Sequence, residues 1–308
     1  MALGFIFPGQ GSQSIGMLKD LAEAHSEVGQ TYAEASDALG YDLWQIVQNG
    51  PQEKLNSTDV TQPAMLAAGV AVWRVWQAQG GQQPEIMAGH SLGEYSALVC
   101  AGSLAFTDAI KLVAERGRLM QQAVPEGSGA MAAILGLDDA QVISVCESAA
   151  QGDVVEAVNF NSPGQVVVAG AKAAVERAAE AAKEAGAKRA VILPVSVPSH
   201  CSLMKPAADK LAEVLAGLDI QTPEIQVINN VDVASATDAD AIRDALTRQL
   251  YQPVRWVETI NKLSEQGIDT VVEAGPGKVL AGLNKRIVKT MNALPVYDSE
   301  SLVKAVSA

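Results

Sequence analysis

Hydrophobic and polar positions along this chain fall into blocks of two different periods. An apolar run at residues 3–7 stops at Pro8-Gly9-Gln10-Gly11-Ser12, which predicts a buried strand and a turn. Helical spacing follows at residues 18–39 and 63–79, the second with Pro63 in its first turn. A strand at residues 86–88 and a helix at residues 92–101 come next. Thr107 is the expected N-cap of a helix reaching about residue 123, where Val124-Pro125-Glu126-Gly127 stops it.

The middle of the chain has a different rhythm. Residues 130–137 read as a strand, and Asp138 or Asp139 caps a helix to about residue 150. A strand at residues 154–158, a turn at Asn161-Ser162-Pro163-Gly164 and a strand at residues 165–169 follow. A helix at residues 171–185 and a strand at residues 188–197 complete a β-α-β-β-α-β order, that of a ferredoxin-like unit. A small inserted domain is therefore placed at residues 127–197.

Mixed elements then return. Helices are expected at residues 205–218, 240–250, 257–266 and 278–289, with strands at residues 225–228 and 270–273 and a turn at Ala274-Gly275-Pro276-Gly277. The fold class is α/β: a large α/β-hydrolase-like domain from residues 1–126 plus 198–308, interrupted by the small ferredoxin-like one.

Composition narrows the function classes. The chain has 308 residues, 48% hydrophobic and 19% charged, enough for a sizeable core and unlike a disordered chain. The apolar start lacks a basic leader, so it reads as a strand and not a signal peptide, and no apolar run is long enough to span a bilayer. Three cysteines, Cys100, Cys146 and Cys201, are odd in number and widely spaced, which argues against a disulfide framework or a zinc site. A cytoplasmic location and a monomer are expected. The formal charge of −13 disfavours nucleic acid as a partner. Residues 274–297 are the exception, carrying Lys278, Lys285, Arg286 and Lys289 with no acid.

The chemistry concentrates at Gly89-His90-Ser91-Leu92-Gly93, a Gly-x-Ser-x-Gly between a strand and a helix. At such an elbow the serine is held in a strained conformation, with its hydroxyl projecting beyond the sheet. The next amide, Leu92, opens a helix and is free to donate to an oxyanion. The pentapeptide alone is weak evidence; its context strengthens it. Two other glycine signatures fail. Gly9-Gln10-Gly11 begins a dinucleotide pattern but has Ser14 at the third glycine position. Gly277-Lys278 lacks both the earlier glycine and the following Ser or Thr of a phosphate loop.

A serine nucleophile needs a base, and the chain has only His25, His90 and His200. His25 lies in a polar helical stretch and reads as a surface residue. His90 adjoins Ser91 on the elbow, so its ring is expected to point elsewhere while lining the pocket. His200, in Pro198-Ser199-His200-Cys201 just past a strand, is favoured by elimination. A loop histidine satisfied by the backbone is the bland alternative. No Asp or Glu stands out as the acid of a hydrolase triad.

Taken together and in order, several segments resemble the bacterial malonyl-CoA:acyl carrier protein transacylases of dissociated fatty acid synthesis. They are Phe7-Pro8-Gly9-Gln10-Gly11-Ser12-Gln13, Gly89-His90-Ser91-Leu92-Gly93-Glu94-Tyr95, Arg116-Gly117 with Met120, Pro198-Ser199-His200, Gln249, and Glu273-Ala274-Gly275-Pro276-Gly277. The resemblance covers essentially the whole chain, weakening over the last dozen or so residues. Ser199 stands where many relatives carry a bulky aromatic.

The resemblance implies Ser91 as nucleophile, His200 as base and a Gln249 carbonyl orienting the histidine in place of a carboxylate. It implies an oxyanion hole from the amides of Gln10 and Leu92. Arg116 would grip the malonyl carboxylate, which suits a planar fork better than a lysine, with His90 and Met120 also lining the substrate pocket. A helix-surface ion pair is the alternative for Arg116, and Arg118 is its natural control. No metal or redox cofactor is implied; malonyl-CoA and acyl carrier protein are the implied partners. Acyl carrier proteins resemble one another in being small and acidic, so a chain at −13 needs a local positive surface to receive one. Lys188 with Arg189, and Lys285 with Arg286, are the candidates. A serine esterase or thioesterase and a non-catalytic binding subunit remain as rivals.

Overall fold

The apolar run at the amino terminus forms β1 (Leu3–Phe7), buried at every residue. The computed structural model describes residues 2–195 and 197–308. The chain continues through α1 (Lys19–Ala24), α2 (Ser26–Leu39), α3 (Leu43–Asn49), α4 (Gln52–Leu55) and α5 (Thr58–Ala78). β2 (Ile86–Gly89), α6 (Leu92–Cys100) and α7 (Phe106–Gln122) follow. The middle segment is β3 (Gly129–Leu135), α8 (Asp139–Ala150), β4 (Val155–Ser162), β5 (Gln165–Ala171), α9 (Lys172–Glu184) and β6 (Arg189–Ile192). The last part holds α10 (Lys205–Ala216), β7 (Gln226–Ile228), α11 (Ala239–Gln249), α12 (Trp256–Glu265), β8 (Thr270–Ala274), α13 (Val279–Ile287), β9 (Asn292–Val296) and α14 (Ser299–Val306).

The first and last parts build one parallel sheet in the order β7-β2-β1-β8-β9. Helices cover both faces, which is why β1 reads as an unbroken apolar run and not as an alternation. On one face Phe5 packs edge-on against Trp73 and Trp76, each ring centroid at 5.1 Å. On the other, Ile6 joins Trp256, Val271 and Leu280. Phe7 pairs in register with Gly89, and Ile6 with Glu273. The loops that follow β1, β2 and β8 therefore leave the sheet at the same end, where ligands of open α/β sheets collect.

The middle segment forms a separate antiparallel sheet, β4-β5-β3-β6, with the β-α-β-β-α-β connectivity expected of a ferredoxin-like unit. Its strands obey the two-residue period. Ile134, Val166 and Val168 face α8 and α9, whereas Met131, Val167 and Ala169 cluster on the opposite face with Cys201. Asp138 caps α8 in a reciprocal capping box with Gln141. The small sheet is tied to the loop between α11 and α12 at Val254, whose amide donates to Val158 O at 2.8 Å while its carbonyl accepts from Phe160 N at 3.0 Å.

Several expectations are corrected. The helix expected at residues 18–39 is broken at His25, extended at φ −134° and half-buried, so it is not an exposed mid-helix residue. α5 begins at Thr58, which moves Pro63 into its second turn. α7 begins at Phe106 behind Ala105, with no side-chain cap, so Thr107 is not its N-cap. β6 ends at Ile192, short of the expected residue 197, and Ser196 of that stretch lies outside the described residues. β9 with α14, and α3 with α4, were not anticipated. Cys100, Cys146 and Cys201 are buried and free.

Candidate active site

Two glycines make the elbow possible. A Cβ on Gly89 would sit 1.8 Å from the Gly93 carbonyl carbon, and one on Gly93 would sit 2.0 Å from Phe7 O. Both contacts are with backbone, so neither can be relieved by a side chain turning away. Gly93→Ala is accordingly expected to cost at least about 3 kcal/mol or prevent folding, read as a lowered Tm or loss of soluble protein. Between the glycines, Ser91 is held at φ 51°, ψ −108°, a conformation that aims its side chain out of the turn. Its amide donates to Asn230 Oδ1 at 2.7 Å, which fixes the strained peptide from β7's side.

His200 approaches from the loop after β6, also in the left-handed region at φ 67°, with its amide donating to Leu250 O. Its Nε2 lies 2.7 Å from Ser91 Oγ, and its Nδ1 lies 2.7 Å from the backbone carbonyl of Gln249. A carbonyl can only accept, so the Nδ1 proton points at Gln249 and the Nε2 lone pair faces the serine hydroxyl. Burial, then the nearby Arg116 charge, lower the pKa of His200 to about 3, so the ring is a free base at neutral pH.

Arg116 comes from α7 and is 1% exposed. Nη1 donates to Gln62 Oε1 at 2.9 Å, and Nη2 to Gln249 Oε1 at 3.0 Å and Ser91 Oγ at 3.3 Å. All three acceptors are neutral, and Nε has no hydrogen-bond partner among the described residues. A buried guanidinium with no carboxylate hydrogen-bonded to it, Glu94 standing one residue further back behind Gln249, is a costly arrangement that an anionic ligand would relieve. The surface ion pair considered for Arg116 is thereby excluded. Arg118 does make one, with Glu115 on the exposed side of the same helix.

These groups line a cleft of about 560 Å³ together with Gln10, His90, Leu92 and Met120. The loop bearing Gln10 is pressed onto the elbow, because a Cβ on Gly9 would lie 2.5 Å from His90 O. Leu92 is the first residue of α6, so its amide is among the donors that no intrahelical carbonyl reaches. His90 turns away from the serine: Nε2 bonds Asn161 Oδ1 at 2.8 Å, and the ring packs beside Trp256. It ties the elbow to the small sheet. Met120 Sδ accepts weakly from Gln62 Nε2 at 3.5 Å.

A family model described as an acyl transferase domain matches residues 4–303. The chain belongs to the acyl transferase family. It is 61% identical over 302 residues to the malonyl CoA-acyl carrier protein transacylase of Escherichia coli, covering 98% of both chains. Against that of Bacillus subtilis it is 46% identical over 305 residues, covering 99% of this chain and 96% of the relative. Among solved structures, a malonyl-transacylase in complex with its type II PKS acyl-carrier protein superimposes with TM-score 0.99 at 61% identity, covering 100% and 99%. An acyl carrier protein S-malonyltransferase from Vibrio cholerae gives TM-score 0.97 at 63% identity, covering 99% of each chain.

The basic candidates lie outside the cleft and beside it. Lys188, Arg189, Lys285 and Arg286 are exposed. Arg286 Nη1 donates across to Gln165 Oε1 at 3.0 Å. Gln165 and Arg189 both pair with Leu135 of β3, one on each side. The two basic segments therefore stand close together, next to Gln165 on the cleft wall.

Three buried polar residues were missed by sequence reasoning. Gln62 and Asn230 carried no local signal, and each becomes informative only when distant segments meet. Glu94 stands three residues after Ser91 inside an otherwise uncharged helix, and an acid at that place was a visible clue.

Proposed function

We propose that this chain transfers a malonyl group from malonyl-CoA to the pantetheine thiol of acyl carrier protein through a malonyl-serine intermediate, in fatty acid biosynthesis. The observation that carries this reading is a buried guanidinium with neutral partners beside a serine–histidine pair. It gives an acyl group bearing a free carboxylate a reason to bind next to a nucleophile. The named relatives support the same assignment.

Ser91 Oγ attacks the thioester carbonyl and gives its proton to His200 Nε2, while the amides of Gln10 and Leu92 hold the oxyanion. CoA departs as the thiol, taking that proton. The carrier's thiol then gives its proton to His200 and attacks the serine ester, and the proton returns to Ser91. Gln249 holds His200 in the required tautomer with a carbonyl. Arg116 receives the malonyl carboxylate, and His90 and Met120 shape the pocket. The catalytic domain comprises residues 1–126 plus 198–308, with the small domain at 127–197 closing the cleft. The reaction takes place in the cytoplasm. A thioesterase is distinguished by its acceptor. Malonyl-CoA incubated without carrier should release malonate far more slowly than it is transferred with carrier. Equal rates would make the chain a hydrolase.

The carrier docks on the basic rim formed by Lys188, Arg189, Lys285 and Arg286, against the overall charge of −13. Arg189→Glu with Arg286→Glu is expected to raise the apparent KM for acyl carrier protein and flatten its salt dependence. Serine malonylation by malonyl-CoA should change much less. An unchanged KM and salt slope would place the docking surface elsewhere.

A further inference from the structure

Glu94 is 2% exposed and lies directly behind the reacting groups. Its Oε2 accepts from Gln249 Nε2 at 2.8 Å and from the Asn230 amide at 2.9 Å. Each of those residues holds part of the site. Gln249 presents its backbone carbonyl to His200 and its Oε1 to Arg116, and its Nε2 also reaches the Ser91 carbonyl at 3.0 Å. Asn230 accepts from the Ser91 amide and donates to Gly89 O at 2.7 Å. Hydrogen-bond paths from the elbow, the histidine and the guanidinium thus converge on one carboxylate oxygen.

Acylation places a second positive charge in this enclosed space. When His200 Nε2 takes the Ser91 proton, an imidazolium forms beside Arg116, and like charges in a buried site repel strongly. In a Ser-His-Asp arrangement a carboxylate touching the histidine meets that need. Here the position against Nδ1 is filled by a neutral carbonyl, and the nearest acid along the network is one residue further back.

On the reading of the site proposed above, we infer that Glu94 is a positioning residue for acylation. Acting through Gln249 and Asn230, its carboxylate fixes the His200-facing carbonyl and the Ser91 backbone, and its negative charge offsets those of Arg116 and the transient imidazolium.

The titration behaviour gives this a signature. Burial raises the pKa of Glu94 to about 7, opposed by the hydrogen bonds from Gln249 and Asn230 and by the Arg116 charge. Asp232, beyond β7, pushes the same way as burial; Tyr95 adjoins on α6, and His200 lies beyond Gln249. His200 itself is held near 3, so it does not titrate in the same range. Acylation should therefore fall as pH drops through about 7 and Glu94 is neutralised. Stability runs the other way. A carboxyl whose pKa is raised on folding stabilises the protein while protonated, and that contribution is lost as pH rises from 4.5 through about 7.

Glu94→Gln separates charge from hydrogen bonding, since a carbonyl can still accept from Gln249 and Asn230. Single-turnover malonylation of Ser91 should be measured across pH 5.5 to 8.5 in wild type, Glu94→Gln and Glu94→Asp, with Tm alongside. The expected result at pH 8 is acylation slowed by about tenfold or more in Glu94→Gln, with little change in KM for malonyl-CoA. Its acid limb should vanish, and its Tm should be no lower than wild type. Glu94→Asp, which keeps the charge but withdraws the acceptor, should be slowed yet retain an acid limb. A Glu94→Gln rate within about twofold of wild type, or a slower rate with a lowered Tm and an unmoved acid limb, overturns the inference. Failure of wild type to be labelled at Ser91 would instead overturn the reading of the site itself.

Discussion

Ser91→Ala is expected to form no malonyl-enzyme at all. No other hydroxyl occupies the elbow, and the covalent step has no substitute nucleophile. The fold should be preserved, because the conformation at φ 51° is imposed by the Gly89 and Gly93 contacts and by the Asn230 clamp on the amide. His200→Ala should acylate more slowly by roughly 10² to 10⁴-fold, the usual worth of a positioned general base. Mass spectrometry after a brief incubation with malonyl-CoA checks both, with circular dichroism as the test of folding. A covalent adduct on Ser91→Ala, or an undiminished rate in His200→Ala, would remove those residues from their roles.

Arg116→Ala should change the substrate preference more than the general competence of the site. With malonyl-CoA the variant loses the partner proposed for the carboxylate, and transfer should fall by roughly 10² to 10³-fold, equivalent to about 3–4 kcal/mol. With acetyl-CoA the wild-type enzyme must bury its guanidinium with neutral hydrogen-bond acceptors only, a penalty the variant no longer carries. The malonyl-to-acetyl ratio of kcat/KM should therefore collapse in Arg116→Ala and stay near wild type in Arg118→Ala. Arg116→Lys should recover little, since a point charge cannot reproduce the fork. Equal ratios in Arg116→Ala and Arg118→Ala would leave Arg116 a structural residue.

What could be read from the chain beforehand followed from the range of each signal. The elbow was legible because strand, glycines, serine and helix are consecutive, and their geometry is local. The small domain was legible because two-residue alternation and an Asp138 cap sit inside one continuous segment. β9 was hidden by Pro295, which argues against a strand. It survives because β9 is the edge of the sheet, where one missing ladder donor is tolerated. The Asp298–Ser301 capping box that starts α14 is a local signal for that helix. α3 and α4 lie in a stretch punctuated by Gly40, Gly50 and Pro51, where turn residues mask short helices. Of the polar network behind the serine, only Glu94, three residues after Ser91, has a local signal. Asn230 and Gln249 are brought to it by the parallel sheet and by α11, and nothing in their sequence spacing announces it.

The most direct measurement is a single-turnover incubation with malonyl-CoA labelled in the malonyl group, followed by peptide mapping and then a chase with holo acyl carrier protein. The label is expected on the peptide containing Ser91, stable in the absence of carrier and moved to the carrier's pantetheine thiol on its addition. Label appearing directly as free malonate at the same rate with and without carrier, or no label on the Ser91 peptide, would contradict a malonyl-serine intermediate in carrier-directed transfer.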